Sequence, residues 1–298
     1  MVNPSAYKKG ILFTIGCYII WGLFPLYWYP LGDLDPLQTL AQRICWSALF
    51  ATLLVIFLRE GRAVYKAFSQ KRTLTILGLS AFMLSMNWLI YLWAIANHHV
   101  LDASLGYFMT PLFSIFLGRV FFKESLNTLQ YFAMAIATGA ILWLTWLAGT
   151  VPYVAIGLTL SFGFYGLLRK LAPLGAIPGL AVETFLMTPL AALYLMYEGL
   201  HGRVMFASLP TLSMLVLLFS GVVTSIPLLM FAAGAKRIPL SLLGIIQYIS
   251  PTIQFILGLW VFNEAFEWNR FMGFVLVWIA VVLYLLSGWY SKTHPKHA

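Results

Sequence analysis

Apolar residues run through this chain in long blocks parted by short polar stretches, without the strict alternation of half-buried strands. A helix rises 1.5 Å per residue, so ~20 apolar residues cross the ~30 Å hydrocarbon layer of a bilayer. Ten blocks have about that length: 11–30, 37–58, 73–96, 101–122, 126–147, 151–168, 177–197, 208–233, 239–262 and 268–290. An open strand leaves its N–H and C=O groups unpaired in lipid, and the alternating segments of a barrel are absent. The pattern predicts an all-α integral membrane protein with ten transmembrane helices. Its longest connection, Arg59–Arg72, leaves no room for an extramembrane domain.

Composition agrees. Of 298 residues, 61% are hydrophobic and 9% charged, against about half and a quarter in soluble domains. The net charge of +9 lies scattered in the gaps between blocks, which excludes a nucleic-acid-binding face. Cys17 and Cys45 fall inside apolar blocks and read as buried hydrophobes. Lys8 and Lys9 precede the first block without a small-residue cleavage site, so that block is expected to remain as a span. With the N-terminus inside, fifteen of the eighteen Lys and Arg residues fall inside. Arg203 and Arg270 fall outside, and Arg43 lies within a span. By the positive-inside rule both termini are cytoplasmic.

A repeat underlies the blocks. Shifting the chain by 140 residues lays Pro111, Leu117, Gly118, Phe122 and Glu124 on Pro251, Leu257, Gly258, Phe262 and Glu264. Pro-x6-Gly-x5-Glu thus recurs in register, and Arg43 falls opposite Glu183. The unit is five helices long. Five is odd, so the second copy enters the membrane inverted, as in many secondary transporters. The expected halves are residues 1–148 and 149–298.

The ten spans, the doubled unit and its Pro-x6-Gly-x5-Glu ending resemble the EamA repeat of the drug/metabolite transporter superfamily. Asn97-His98-His99, the run Ala103–Phe108, Ser161-Phe162, Phe164–Leu167, Gln247–Ile249 and Pro251-Thr252 resemble RarD-like permeases. The resemblance covers essentially the whole chain. It implies a permease of the bacterial cytoplasmic (inner) membrane with a chloramphenicol association, and names no natural substrate.

Charge inside a bilayer costs at least ~2.5–3.5 kcal/mol per group, so each charged residue there needs a reason. Arg43 lies roughly 10 Å inside the outer end of its helix and Glu183 roughly 9 Å inside the inner end of its own. That leaves about 11 Å of depth between them, too far for a direct pair. Arg43 either bridges to Asp102 at the start of the fourth span, or binds the anionic or carbonyl end of a substrate. Glu183 has no evident cation in its half of the membrane. Desolvation favours the neutral form of such a carboxyl, which suits a proton carrier; the alternative is a neutral Glu183 hydrogen-bonded between helices. Glu183 and Asp102 are the candidates for proton coupling.

Pro111 and Pro251 fall near mid-span, where each removes a ladder bond to the carbonyl four residues back, of Tyr107 and Gln247 respectively. Two broken helices are therefore expected to offer free acceptors at mid-depth. Trp21, Asn87, Trp88, Tyr91 and Tyr248 add aromatic and polar groups suited to an amphipathic ligand, or simply pack. Trp28, Tyr29, Trp289 and Tyr290 sit at span ends as interfacial anchors. His98 and His99 point ~100° apart on a helix and read as loop residues, not a metal pair. Glu124 and Glu264 are placed to cap the helices that follow them. No metalloprotease, nucleophile-elbow or Walker motif occurs, so neither metal nor cofactor is expected. Gly163-x-x-Gly166 lacks close-packing G-x-x-x-G spacing, and a monomer or weak dimer is expected.

The expected function is secondary transport: a permease exporting small organic metabolites or drugs by alternating access, with lipid, substrate and protons as its partners. The alternative is a polytopic enzyme acting on lipid-linked substrates, which would need acids or histidines clustered at one membrane surface.

Overall fold

The computed structural model describes residues 4–31, 34–97, 100–149, 152–204, 206–263 and 266–293. Side chains are described there except at 95, 96, 100–102, 104, 148, 207, 270 and 288–293. His98, His99, Glu264 and the side chains of Asp102, Trp289 and Tyr290 therefore lie outside the described residues.

The described residues fold into helices, with no strand among them. In chain order they are α1 (Pro4–Trp28), α2 (Pro36–Phe57), α3 (Gly61–Ser69), α4 (Lys71–Ala96), α5 (Val100–Phe122) and α6 (Thr128–Ala148), followed by α7 (Tyr153–Leu171), α8 (Ala176–Leu200), α9 (Thr211–Ala235), α10 (Leu240–Gln247), α11 (Ile249–Trp260) and α12 (Trp268–Thr293). Nine stretches among the described residues are long and apolar enough to cross a membrane, the ninth being α10 and α11 taken together. The apolar stretch within α12, Phe271–Ser287, is shorter. Their outer faces carry Leu53, Phe121, Phe132, Leu190, Phe219 and Trp260, all at least half exposed. Such continuous apolar surface is stable only against lipid.

Three expectations about local structure change. The Arg59–Arg72 connection contains α3, an amphipathic helix with Val64 and Ala67 buried and Arg62, Tyr65 and Lys66 turned outward. Proline breaks one helix, not two: the chain parts into α10 and α11 at Gln247–Tyr248, while α5 continues through Pro111. Glu124 does not cap the helix that follows it. Asn127 and Gln130 form the capping box of α6, and the Glu124 carboxylate instead accepts from Leu240 N (2.7 Å) and Ser241 N (2.9 Å) at the start of α10.

That cap joins residues 116 apart in sequence, so it holds tertiary structure as well as a helix end. Glu124→Ala strands two buried N–H groups and is expected to lower stability by about 1–2 kcal/mol. Glu124→Gln keeps an acceptor and should lose less. Thermal unfolding of the detergent-purified protein checks both.

Close approaches set the packing. Gly10 and Gly234 let α1 and α9 run antiparallel with Arg237 and Thr14 against them. Gly106 and Gly163 admit α7 beside α5, and Gly244 meets the Pro111 carbonyl across α5 and α10. Without a hydrophobic drive between helices in lipid, small residues at such crossings let dispersion contacts accumulate. The other main pairs are α2 with α8 and α9, α4 with α7, α6 with α12, and α1 with α11.

Candidate functional site

Between these helices lies a cavity of about 410 Å³, within the size range of small-molecule sites. It extends from mid-bundle to the α1–α2 connection at Leu34 and Pro36. Of the expected binding residues, Trp21, Arg43, Asn87, Trp88, Tyr91, Tyr107 and Gln247 all line it. Tyr248 does not: it is buried in the core, and its hydroxyl donates to Phe108 O at 3.1 Å. The helix parts at Tyr248 alone, so that Gln247 lines the cavity while the Tyr248 side chain reaches Phe108 of α5.

Arg43 projects from α2 into this space. Its Nε donates to Thr224 Oγ1 at 3.2 Å, and its guanidinium carbon lies 4.5 Å from the Trp28 ring centre and 5.0 Å from that of Trp88. Trp28, expected as an interfacial anchor, lines the cavity next to the 3-10 turn Tyr29–Leu31 at the end of α1. The Asn87 amide donates to Leu158 O and Ser161 Oγ, both at 3.0 Å, which fixes α4 against α7. Gln247 Oε1 accepts from Tyr18 at 3.3 Å. Tyr91 and Tyr107 meet edge to face with ring centres 6.2 Å apart.

Below this cavity is an aromatic layer. Trp21, Phe162 and Phe231 have ring centres 5.4–5.7 Å apart, and Tyr165 stacks on Phe231 at 5.4 Å. Beneath it sits Glu183, 2% exposed and away from the cavity. It is not without a cation. Arg169 Nη1 lies 3.4 Å from Glu183 Oε1, and Ser80 donates to the same oxygen at 2.6 Å. Arg169 belongs to the last turn of α7 and is 1% exposed, so it is no loop cation. The network is incomplete: Glu183 Oε2, Arg169 Nε and the Tyr165 hydroxyl have no hydrogen-bond partner.

The same end of the bundle is closed by lysines. Lys170, from α7, donates to the carbonyls of Ala235 (2.9 Å) and Ile238 beyond α9. Lys236, just beyond α9, donates to the carbonyls of Ala172 (2.7 Å) and Leu174 beyond α7. Cations there also complement the negative ends of the two helix dipoles. Burial, then the nearby Arg169 and Arg237, push Lys236 below the ordinary lysine range. At the opposite end Arg203 pairs through both Nε and Nη2 with Glu198, at 2.9 and 3.1 Å, which holds the guanidinium above its usual value.

Sequence reasoning missed Trp28, Thr224, Arg169 and Ser80. Only Arg169 carried a signal: it follows Leu167-Leu168 with no proline or charged residue between it and the span, so the helix can extend to include it. Among the described residues no cluster of His, Cys, Asp or Glu could hold a metal ion.

A bundle of lipid-length helices around a small-molecule cavity defines a multi-pass membrane transporter. The chain belongs to the EamA-like transporter family, whose profile matches residues 8–146 and again residues 151–286. It is 41% identical over 283 residues to the uncharacterized transporter YojE of Bacillus subtilis (strain 168), 94% of each chain. Against protein RarD of Escherichia coli (strain K12) it is 34% identical over 285 residues, 96% of each. Against the chloramphenicol-sensitive protein RarD of Pseudomonas aeruginosa the figure is 30% over 287 residues, 95% of this chain and 94% of that one. The chain is RarD-like over nearly its whole length. One crystal structure shares the fold at 15% identity, with a TM-score of 0.69 over 94% of this chain and 98% of its own.

Proposed function

We propose that the protein is a secondary active permease of the bacterial inner membrane that exports small organic molecules by alternating access. Two five-helix halves, 1–148 and 149–298, are inverted copies, with α12 as the tenth span and both termini cytoplasmic. The observation that carries this is a regular spacing. The starts of α2, α4, α5 and α6, at 36, 71, 100 and 128, recur 140 residues later as those of α8, α9, α10 and α12, at 176, 211, 240 and 268. The packing supports it as well, because the pairing of α1 with α9 and α11 mirrors that of α7 with α4 and α5. In this reading the cavity faces outward, and the aromatic layer, the Arg169–Glu183 pair and the lysines close the cytoplasmic side. Glu183 is the acid through which protons couple to closure, and Asp102 is the second candidate. The unit acts as a monomer or weak dimer.

A cysteine at the cavity floor tests alternation. In a Cys17→Ala/Cys45→Ala background, Ser250→Cys places a thiol among the lining residues. A membrane-impermeant maleimide is expected to label it in both right-side-out and inside-out vesicles, faster in the former. Labelling from one side alone under all conditions would rule out alternating access.

A further inference from the structure

We infer that the cavity selects organic monoanions with an apolar or aromatic body, and rejects amines and zwitterions. The inference rests on the transport reading above and specifies its substrate class. Among the described residues lining the cavity, Arg43 carries the one formal charge. A guanidinium has five N–H donors, and here Nε alone has a protein acceptor, Thr224. The terminal nitrogens have no acceptor among the described residues. Trp28 and Trp88 cover the cation by their ring faces, which leaves its hydrogen-bonding edge free. A carboxylate meets that edge with two parallel bonds, a geometry that no amine or carbonyl matches.

The rest of the lining suits the remainder of such a ligand. Trp21, Phe24, Tyr91, Tyr107 and Phe162 offer ring faces and edges, while Gln247 and Gln254 add amides. No described lining residue is acidic, so an ammonium group entering with the carboxylate finds no counter-charge and loses its water. Thr224 is then a positioning residue that sets the guanidinium plane.

The test is equilibrium binding to the purified protein in nanodiscs, read by thermal stabilisation and by tryptophan fluorescence. The probes are 3-phenylpropionate, its neutral amide, phenylalanine and phenethylamine, each at millimolar concentration. The carboxylate is expected to bind at least about tenfold more tightly than the other three, the scale of a charge-assisted pair. Arg43→Gln should abolish that preference, Arg43→Lys should keep part of it, and Thr224→Val should weaken it without changing folding. Equal binding of acid and amide overturns the inference. So does carboxylate binding that survives Arg43→Gln, or no carboxylate binding at all. Tighter carboxylate binding in Asp102→Asn would overturn it too, by showing that Asp102 already supplies Arg43 with a counter-charge and that its edge is not free. If acid and amide bind equally and Thr110→Trp blocks both, the cavity remains the substrate site and the charge selection alone fails.

Discussion

Arg169→Met is expected to destabilise the protein by about 3–5 kcal/mol, the loss seen when one partner of a buried ion pair is removed. Glu183 would remain 2% exposed with Ser80 alone to solvate it. Glu183→Gln should lose less, because an amide keeps an acceptor for Ser80 and demands no counter-charge. The double variant Arg169→Met/Glu183→Leu is expected to recover most of the loss, since an apolar pair packs without desolvation. Chemical denaturation in detergent measures all three together with Glu183→Leu alone. Additivity of the Arg169→Met and Glu183→Leu losses in the double variant would show that the two side chains do not act as a pair. If the pair also carries protons, acid pH should release it and open the cytoplasmic side. Labelling of Ser250→Cys in inside-out vesicles should then rise on acidification relative to right-side-out vesicles. That ratio cancels the falling thiolate fraction, and Glu183→Gln should remove its change. The charged or titratable groups around Glu183 are Arg169 and Tyr165, with Lys236 beyond Arg169. A pH response surviving in Glu183→Gln would assign it to one of these.

The second large effect is steric. A methyl group on Gly221 would lie 2.2 Å from the Trp46 carbonyl carbon and 2.6 Å from Ser47 N, both backbone atoms of α2. Backbone cannot rotate aside as a side chain can. Gly221→Ala must therefore push α9 off α2, at a cost of about 3 kcal/mol or more. The displacement also pulls Thr224, one turn along α9, away from Arg43. Stability and carboxylate binding should fall together in Gly221→Ala. Gly139→Ala, which meets nothing within 4 Å, is the matched control and should lower neither, with stability rising if anything through helix propensity. Gly16 makes a useful contrast, because a methyl there meets the flexible end of Met230 and the cost should be small.

The blocks of apolar residues made the spans legible, since lipid imposes one length on every crossing helix. The cavity residues were legible for a related reason: a polar or charged group inside a span is costly enough to stand out, as Arg43, Asn87 and Gln247 do. The partners were not legible. Thr224 lies 181 residues from Arg43, and a threonine in a span is unremarkable because its hydroxyl usually bonds its own helix. Glu183 pointed to a buried carboxyl, but not to Arg169, whose place at a span end hid it among loop cations. Pro111 and Pro251 share one motif, yet only the second parts its helix. At the first, α7 packs along α5, and Thr110 and Thr159 both donate to Gly106 O in the turn before the proline.

The lysines at the ends of α7 and α9 set how the two helices can part. Each donates to carbonyls at or just beyond the end of the other's helix, so parting α7 from α9 must break both sets of bonds together. Their separation is a single cooperative event rather than a gradual loosening. Because both ammonium groups are partly buried against backbone oxygens, this latch should weaken less in concentrated salt than a surface ion pair does.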